Sequence, residues 1–118
     1  MLASELSRLG EELGLDALGA APASAYEETE RHIRERRERG LFADMRFTMA
    51  RPEQSCHPES LLEGAHTVVS AALCYWADGE PPPPGHGRLP RYTWWDAYSA
   101  LRERLDELGR RLGGGYRV

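Results

Sequence analysis

The densest group of side chains that could carry chemistry lies near the C-terminal end of the sequence, in the segment RLPRYTWWDAYSALRERL. Six of its residues cluster just before a predicted helix: Arg91, Tyr92, Trp94, Trp95, Asp96 and Tyr98. Aromatic rings and the planar guanidinium fork suit a large planar or anionic ligand. The residues alone favour a simpler interpretation, in which the two tryptophans hold the start of a helix against the core and Arg91 pairs locally.

A second group is basic, and it lies in the segment EETERHIRERRER. Its arginines are Arg31, Arg34, Arg36, Arg37 and Arg39. Three of them follow a glutamate at i,i+4 spacing, in the pairs Glu27–Arg31, Glu30–Arg34 and Glu35–Arg39, which supports an exposed helix. The pattern therefore favours a solvated helix with ion pairs along its surface. A phosphate-facing patch is the alternative.

Metal ligands and a nucleophile are not predicted. The side chains capable of metal binding are Cys56, His57, His66 and Cys74, and they lack the short paired spacings of zinc sites. Cys56 and His57 make a poor nucleophilic pair because adjacent residues rarely point at one another. We expect two reduced thiols, Cys56 in a loop and Cys74 buried in a strand.

Composition excludes several chemistries. All 15 basic residues are arginine, so no Schiff-base lysine, pyridoxal anchor or Walker A lysine can lie in this chain. The net charge of -4 argues against a chain that coats nucleic acid, although it permits a local arginine patch. The longest nearly apolar run, 68–77, is too short to span a membrane, and no signal sequence is visible. We therefore predict a cytoplasmic protein without membrane partners.

The elements that would position these groups begin with a helix capped by Ser4 and ended by Gly14. A short buried strand is predicted over 15–22, and a helix over 26–39 that Gly40 closes. The following segment, LFADMRFTM at 41–49, is too apolar for a free loop, so it is expected to pack on the core or line a cavity.

The second half begins with an irregular stretch over 50–60. A central strand covered on both faces is predicted over 66–76, followed by a semi-rigid proline loop at 79–87. Asp96 is the expected N-cap of a last helix with one leucine stripe, formed by Leu101, Leu105, Leu108 and Leu112. A new strand then starts at 116–118 without a partner, so we expect the front part of a longer protein.

Five motifs occur in an order that resembles the N-terminal region of epoxyqueuosine reductases. They are LGLDALGAAPAS, ERGLFADMRFTM, HPESLLEGAHTVVSAALCYW, a variable proline loop, and RYTWWDAYSALRERLDELGRRL followed by YRV. The resemblance spans essentially all 118 residues. It implies an α/β fold, with α+β as the alternative, in which helices surround a small sheet. Residues 1–118 would form the N-terminal part of a cobalamin-binding reductase domain, and the ferredoxin-like cluster domain would lie outside this chain.

The resemblance also implies an activity and cofactors. The full-length enzymes are expected to reduce epoxyqueuosine to queuosine at the wobble position of tRNA, with cobalamin and two [4Fe-4S] clusters, as cytoplasmic monomers. The cofactor-binding residues carried over are Arg91, Tyr92 and Tyr98, with Arg51 as a displaced candidate because Gln54 and Ser55 stand where an arginine is usual. Glu63 replaces a usual proline.

No catalytic residue is predicted in this chain. The family's aspartate proton donor and its cluster-binding cysteine runs are expected after the segment YRV, so the 118-residue chain alone is expected to be inactive. One alternative is a non-catalytic remnant of the family that binds cobalamin or tRNA. Another is a structural remnant whose apolar surface is normally covered by the missing part.

Overall fold

The computed structural model describes residues 3–47 and 49–118. In chain order its elements are α1 (Ala3–Glu12), β1 (Ala17–Pro22), α2 (Glu27–Glu38), α3 (Pro52–Ser55), a 3-10 turn (Pro58–Ser60), β2 (Thr67–Ala72), a second 3-10 turn (Arg91–Thr93) and α4 (Ala97–Leu112). The chain divides into two compact units. The first unit contains residues 3–19 and 70–118, and the second unit contains residues 20–69.

The two strands form a small antiparallel sheet. The Asp16 N–H donates to the Ala72 carbonyl at 2.9 Å, and the Ala23 N–H donates to the His66 carbonyl at 3.0 Å. Helices with a small sheet confirm the predicted fold class. The predicted burial of the strands was wrong, because β1 is largely exposed and β2 has a single neighbouring strand within the described residues.

In the first unit, glycines with positive φ follow the ends of α1 and α4: Gly14 (φ 68°) and Gly113 (φ 73°). Ser4 lies inside α1, so its prediction as the N-cap was wrong. Asp96 does cap α4: it accepts from the Ser99 hydroxyl at 2.7 Å and N–H at 2.9 Å, and these bonds lower its pKa.

The leucine stripe of α4 supplies the core of the first unit. Leu108 is 2% exposed, and Leu15 after the end of α1 is also buried. Arg104 of α4 donates from Nη1 to the Gly14 carbonyl at 2.6 Å, and Arg111 pairs with Glu12 at 3.3 Å. These contacts hold α4 to the end of α1.

The C-terminal residues form no strand, contrary to prediction. Tyr116 instead folds back over α4, so that a Cβ on Gly109 would overlap its ring. The Tyr116 hydroxyl donates to Asp106 Oδ1 at 3.0 Å, and this bond raises the pKa of the tyrosine. The absence of a side chain at Gly109 permits this close packing.

In the second unit, α2 packs against α3, and the buried residues include Ile33, Pro52 and Cys56. The stretch 50–60 is more regular than predicted, because Pro52 and Pro58 each occupy the first turn of a short helix, where their fixed φ is favourable. Both cysteines are free thiols as predicted, but their burial is reversed: Cys56 is buried and Cys74 is exposed.

The segment 41–49, predicted to pack on the core or line a cavity, does so only in part: Phe42 and Met49 are half-buried. Leu41, Met45 and Phe47 are 54%, 66% and 94% exposed. The buried set of the second unit is small, so it leaves little apolar surface to cover these side chains. Leu41 borders a hollow, which is described below.

None of the described helices is long and apolar enough to cross a lipid bilayer.

Candidate cofactor-binding site

Arg91 is held between two tryptophans in the first unit. Its guanidinium carbon lies 3.8 Å from the ring centroid of Trp94 and 4.8 Å from that of Trp76. Its Nη1 donates to the Ala77 carbonyl at 2.8 Å. Stacking against two ring faces and one hydrogen bond fix the guanidinium, which still has further N–H groups to donate. We call Trp76, Arg91 and Trp94 the arginine clamp.

Local backbone contacts set the geometry of the clamp. The Thr93 hydroxyl donates to the Pro90 carbonyl at 2.8 Å, which stabilises the 3-10 turn that carries Arg91. Trp94 Nε1 donates to the Leu89 carbonyl at 3.3 Å. A Cβ on Gly79 would overlap the Trp94 ring, so the ring lies directly on the backbone at that glycine. The close approach requires glycine.

A second pair of contacts joins the same two stretches of chain. Trp95 Nε1 donates to the Tyr75 carbonyl at 3.1 Å. The rings of Tyr75 and Tyr92 meet edge to face, with centroids 6.1 Å apart and an interplanar angle of 81°. Tyr75 and Trp76 after β2 therefore lie against the residues before α4. We call these two residues, with Arg91, Tyr92, Trp94 and Trp95, the aromatic layer.

A cleft of about 460 Å³ opens beside the clamp. It is lined by Trp76, Glu80, Pro81, Pro82, Gly87, Arg88, Leu89, Arg91 and Trp94. Its volume is in the range of small-ligand pockets, which are largely apolar with a few polar groups that orient the ligand. In this cleft prolines and tryptophans supply the apolar wall, and Arg88, Arg91 and Glu80 supply the charged groups.

Comparison with known proteins identifies the family. Residues 56–116 match the family model described as epoxyqueuosine reductase QueG, DUF1730. The chain belongs to the epoxyqueuosine reductase family. A relative named epoxyqueuosine reductase, from Synechococcus sp. (strain CC9605), is 38% identical over 74 residues, which cover 62% of this chain and 22% of the relative. The chain thus spans little more than a fifth of that relative's length. No solved structure matches it.

The clamp and every residue that lines the cleft fall within the part that matches the epoxyqueuosine reductase family. Of the four predicted cofactor-binding residues, Arg91 and Tyr92 are brought into the aromatic layer. Tyr98 lies in the first turn of α4 and is 80% exposed. Arg51 precedes the matched region and lies in the second unit, where its Nη1 is 3.5 Å from Gln54 Oε1.

Trp94 and Trp95 do not enter the core, although the residues alone favoured that interpretation. They are 42% and 37% exposed, and they contact the segment after β2. Within the described residues Arg91 has no carboxylate partner; a carbonyl and two rings hold it.

Sequence reasoning missed Trp76 and Tyr75 because they end an apolar run and were assigned to the strand. Two large aromatic side chains just before the proline loop were the available signal.

Glu30 joins α2 to His57, the residue that precedes the 3-10 turn at Pro58. Its carboxylate contacts His57 Nε2 at 2.5 Å and Arg34 Nη2 at 2.5 Å. Both hydrogen bonds lower the pKa of Glu30, and the bond with His57 has the larger effect. His57 is therefore engaged by α2, and Cys56 is buried next to it in the sequence.

The predicted pairs Glu30–Arg34 and Glu35–Arg39 are confirmed. The predicted pair Glu27–Arg31 was wrong, since Arg31 lies 3.7 Å from Glu28. No group of three potential metal ligands occurs in the part of the chain that the structure describes.

Proposed function

We propose that this chain forms the N-terminal part of the cobalamin-binding reductase domain of an epoxyqueuosine reductase. The whole protein would act in the cytoplasm as a monomer on tRNA, and would reduce epoxyqueuosine to queuosine at the wobble position. The observation that carries the proposal is the arginine clamp beside a cleft, within the region that matches the family.

The residues of the clamp and cleft are chemically suited to cobalamin. Exposed ring faces suit a flat macrocycle, and Trp76 and Tyr98 are 61% and 80% exposed. The cofactor's amide side chains and phosphate need hydrogen-bond donors, which Arg88 and Arg91 can provide. A cleft of about 460 Å³ would take one edge of so large a cofactor, while the aromatic layer would lie against more of it.

The role of this chain would be to bind and orient. When bound, cobalamin supplies the reducing centre, and removal of the epoxide oxygen as water consumes two electrons and two protons. Arg91 would hold a polar edge of the cofactor in a fixed position, because its guanidinium is already oriented by two rings and a carbonyl. The prolines and tryptophans of the cleft would exclude water from the buried edge. The [4Fe-4S] clusters and the proton donor would be supplied by other parts of the whole protein.

Cobalamin retention tests the proposal. The 118-residue chain, checked for helical content by circular dichroism, is mixed with hydroxocobalamin and separated by gel filtration. We expect cobalamin absorbance to elute with the protein. Arg91→Ala should weaken binding about tenfold, or ~1.4 kcal/mol, and Tyr98→Ala should weaken it less. Arg102→Ala removes an exposed arginine of α4 in the same unit, so it is the matched control and should bind normally.

A folded chain that leaves all cobalamin at the position of the free cofactor would contradict the proposal. Equal losses in Arg91→Ala and Arg102→Ala would show that binding does not use the clamp. Retention of cobalamin by the whole protein without turnover of epoxyqueuosine in tRNA would favour the non-catalytic binding protein as the second candidate.

A further inference from the structure

The charge of the second unit is concentrated in one stretch. Residues 31–51 contain seven arginines and three acidic residues, a net charge of +4, whereas the whole chain carries -4. The remaining sequence is therefore strongly acidic. A local excess of this size attracts anions despite the overall charge.

The arginines of this stretch differ in how they are held. Arg34 and Arg39 form ion pairs with glutamates of α2. Arg37 donates from Nη1 to the Ala50 carbonyl at 3.4 Å. Within the described residues Arg36 and Arg46 have no carboxylate at ion-pair distance, so their guanidinium groups can bind an external anion. The helix dipole favours arginine in the last turn of α2, which accounts for Arg36 but not for Arg46.

The backbone after α2 has a defined conformation. Gly40 has φ 67°, the Leu41 N–H donates to the Arg36 carbonyl at 2.8 Å, and the Gly40 N–H donates to the Arg37 carbonyl at 3.0 Å, which together form a Schellman motif. A tight turn follows, closed by the Met45 N–H and the Phe42 carbonyl at 2.8 Å. These bonds, together with the bond from Arg37 to Ala50, hold the segment against α2.

An exposed aromatic ring follows this turn. Phe47 is 94% exposed and follows Arg46 directly. Leu41 and Met45 of the same segment are also exposed, and a group of exposed apolar side chains indicates a surface that binds another molecule. A hollow of about 510 Å³ lies beside α2, lined by His32, Glu35, Arg36, Arg39 and Leu41, and its cationic groups outnumber the one carboxylate.

We propose that Arg36, Arg37, Arg46 and Phe47, the arginine–phenylalanine surface, bind an unpaired segment of RNA. The arginines would contact phosphates, and a base would stack on Phe47, which is how proteins bind single-stranded RNA. An acidic protein segment would use the same arginines but would not need a flat exposed ring. The choice of RNA over other polyanions rests on the proposed function, because the proposed substrate is part of a tRNA.

Fluorescence anisotropy with a labelled RNA stem–loop that has unpaired loop bases tests this inference. The charge reversal Arg36→Glu/Arg46→Glu should weaken binding at least tenfold. It should also make the slope of log K against log salt shallower, by about 0.7 to 0.9 for each phosphate that the protein no longer neutralises. Phe47→Ala should weaken binding about tenfold with an unchanged slope, because stacking involves no counterion release. Arg102→Glu, with the same charge change per residue in the first unit, should have little effect.

Three outcomes would overturn the inference: a folded chain that does not bind the RNA, an Arg102→Glu variant that loses as much affinity per residue as the charge-reversed surface, or equal binding of poly-glutamate, which would indicate an acidic protein partner. Cobalamin retention on the same variants separates this inference from the proposed function. We expect Arg36→Glu/Arg46→Glu to retain cobalamin and Arg91→Ala to retain RNA binding. RNA binding without cobalamin binding would contradict the proposed function but support RNA binding by the arginine–phenylalanine surface.

Discussion

The two units each immobilise an arginine, and they do so by different means. In the first unit, Arg91 lies between two tryptophan rings and donates to a backbone carbonyl. In the second unit, Arg34 binds the Glu30 carboxylate, which also contacts His57. Ring stacking depends on shape and leaves the arginine's charge unneutralised, whereas a carboxylate cancels it. The first arrangement therefore presents an oriented positive charge to a ligand, and the second joins α2 to the residue that precedes the 3-10 turn at Pro58.

The difference extends to what should disrupt each unit. The clamp should respond mainly to changes in packing, because Arg91 has no carboxylate partner among the described residues and the one carboxylate bound to the clamp, that of Asp78, accepts from Trp76 Nε1 at 3.1 Å. The Glu30 contacts should respond to pH and to salt. Changes of shape in the first unit and of charge in the second therefore test the comparison.

Removing the packing under α4 should have the largest effect. Leu108 is 2% exposed, so Leu108→Ala leaves a cavity and should lower the free energy of unfolding by about 2 to 5 kcal/mol. Tryptophan fluorescence during urea unfolding measures this, since all three tryptophans lie in the first unit. Leu89→Ala is the control: the side chain is 73% exposed, and the change should be within about 0.5 kcal/mol. A decrease below about 1 kcal/mol for Leu108→Ala would mean that α4 does not depend on this packing.

Adding one methyl group at Gly79 should displace the clamp itself. The new Cβ would overlap the Trp94 ring, so Gly79→Ala should cost about 1 to 3 kcal/mol of unfolding free energy and shift the tryptophan emission. Gly87→Ala in the same loop meets nothing within 4 Å and should leave both quantities unchanged. Identical spectra and stabilities for the two variants would show that Trp94 does not lie on Gly79.

Local signals in the sequence predicted the helices well. The glutamate–arginine spacing and Gly40 located α2, and Asp96 with the leucine stripe located α4, because caps and periodicity are determined by neighbouring residues. Burial could not be predicted in the same way. An apolar run such as HTVVSAALCYW is compatible with a central strand, but β2 has one strand neighbour in the described part of the chain, and whether a strand is covered depends on distant residues.

The candidate site was predicted only in part, because local clusters are visible in the sequence and contacts between distant residues are not. Arg91 and Tyr92 stood out because they lie in an unusual local cluster, and the structure places both in the aromatic layer. The contacts of Trp76 and Gly79 with Arg91 and Trp94 were missed because most of the proline loop lies between them in the sequence. Their proximity arises from the return of the chain after that loop, which no residue spacing reveals.

Removing the charge of Glu30 should have the smallest effect on stability. This change tests the role of charge in the second unit. The folded-state pKa of Glu30 is lowered from 4.5, so its contribution to stability is fully present above about pH 4.5 and is lost as the pH falls through the folded-state value. Glu30→Gln keeps an oxygen that can accept from Arg34 and His57 but removes the charge. We expect a lower urea midpoint for Glu30→Gln than for the unsubstituted chain at neutral pH, measured by circular dichroism. The two midpoints should converge as the pH falls below 4.5. Glu38→Gln, which removes another carboxylate from α2, should show no such convergence.

A Glu30→Gln difference that persists unchanged at low pH would mean that the shape of the side chain, rather than its charge, joins α2 to His57. The contrast between the two units would then fail.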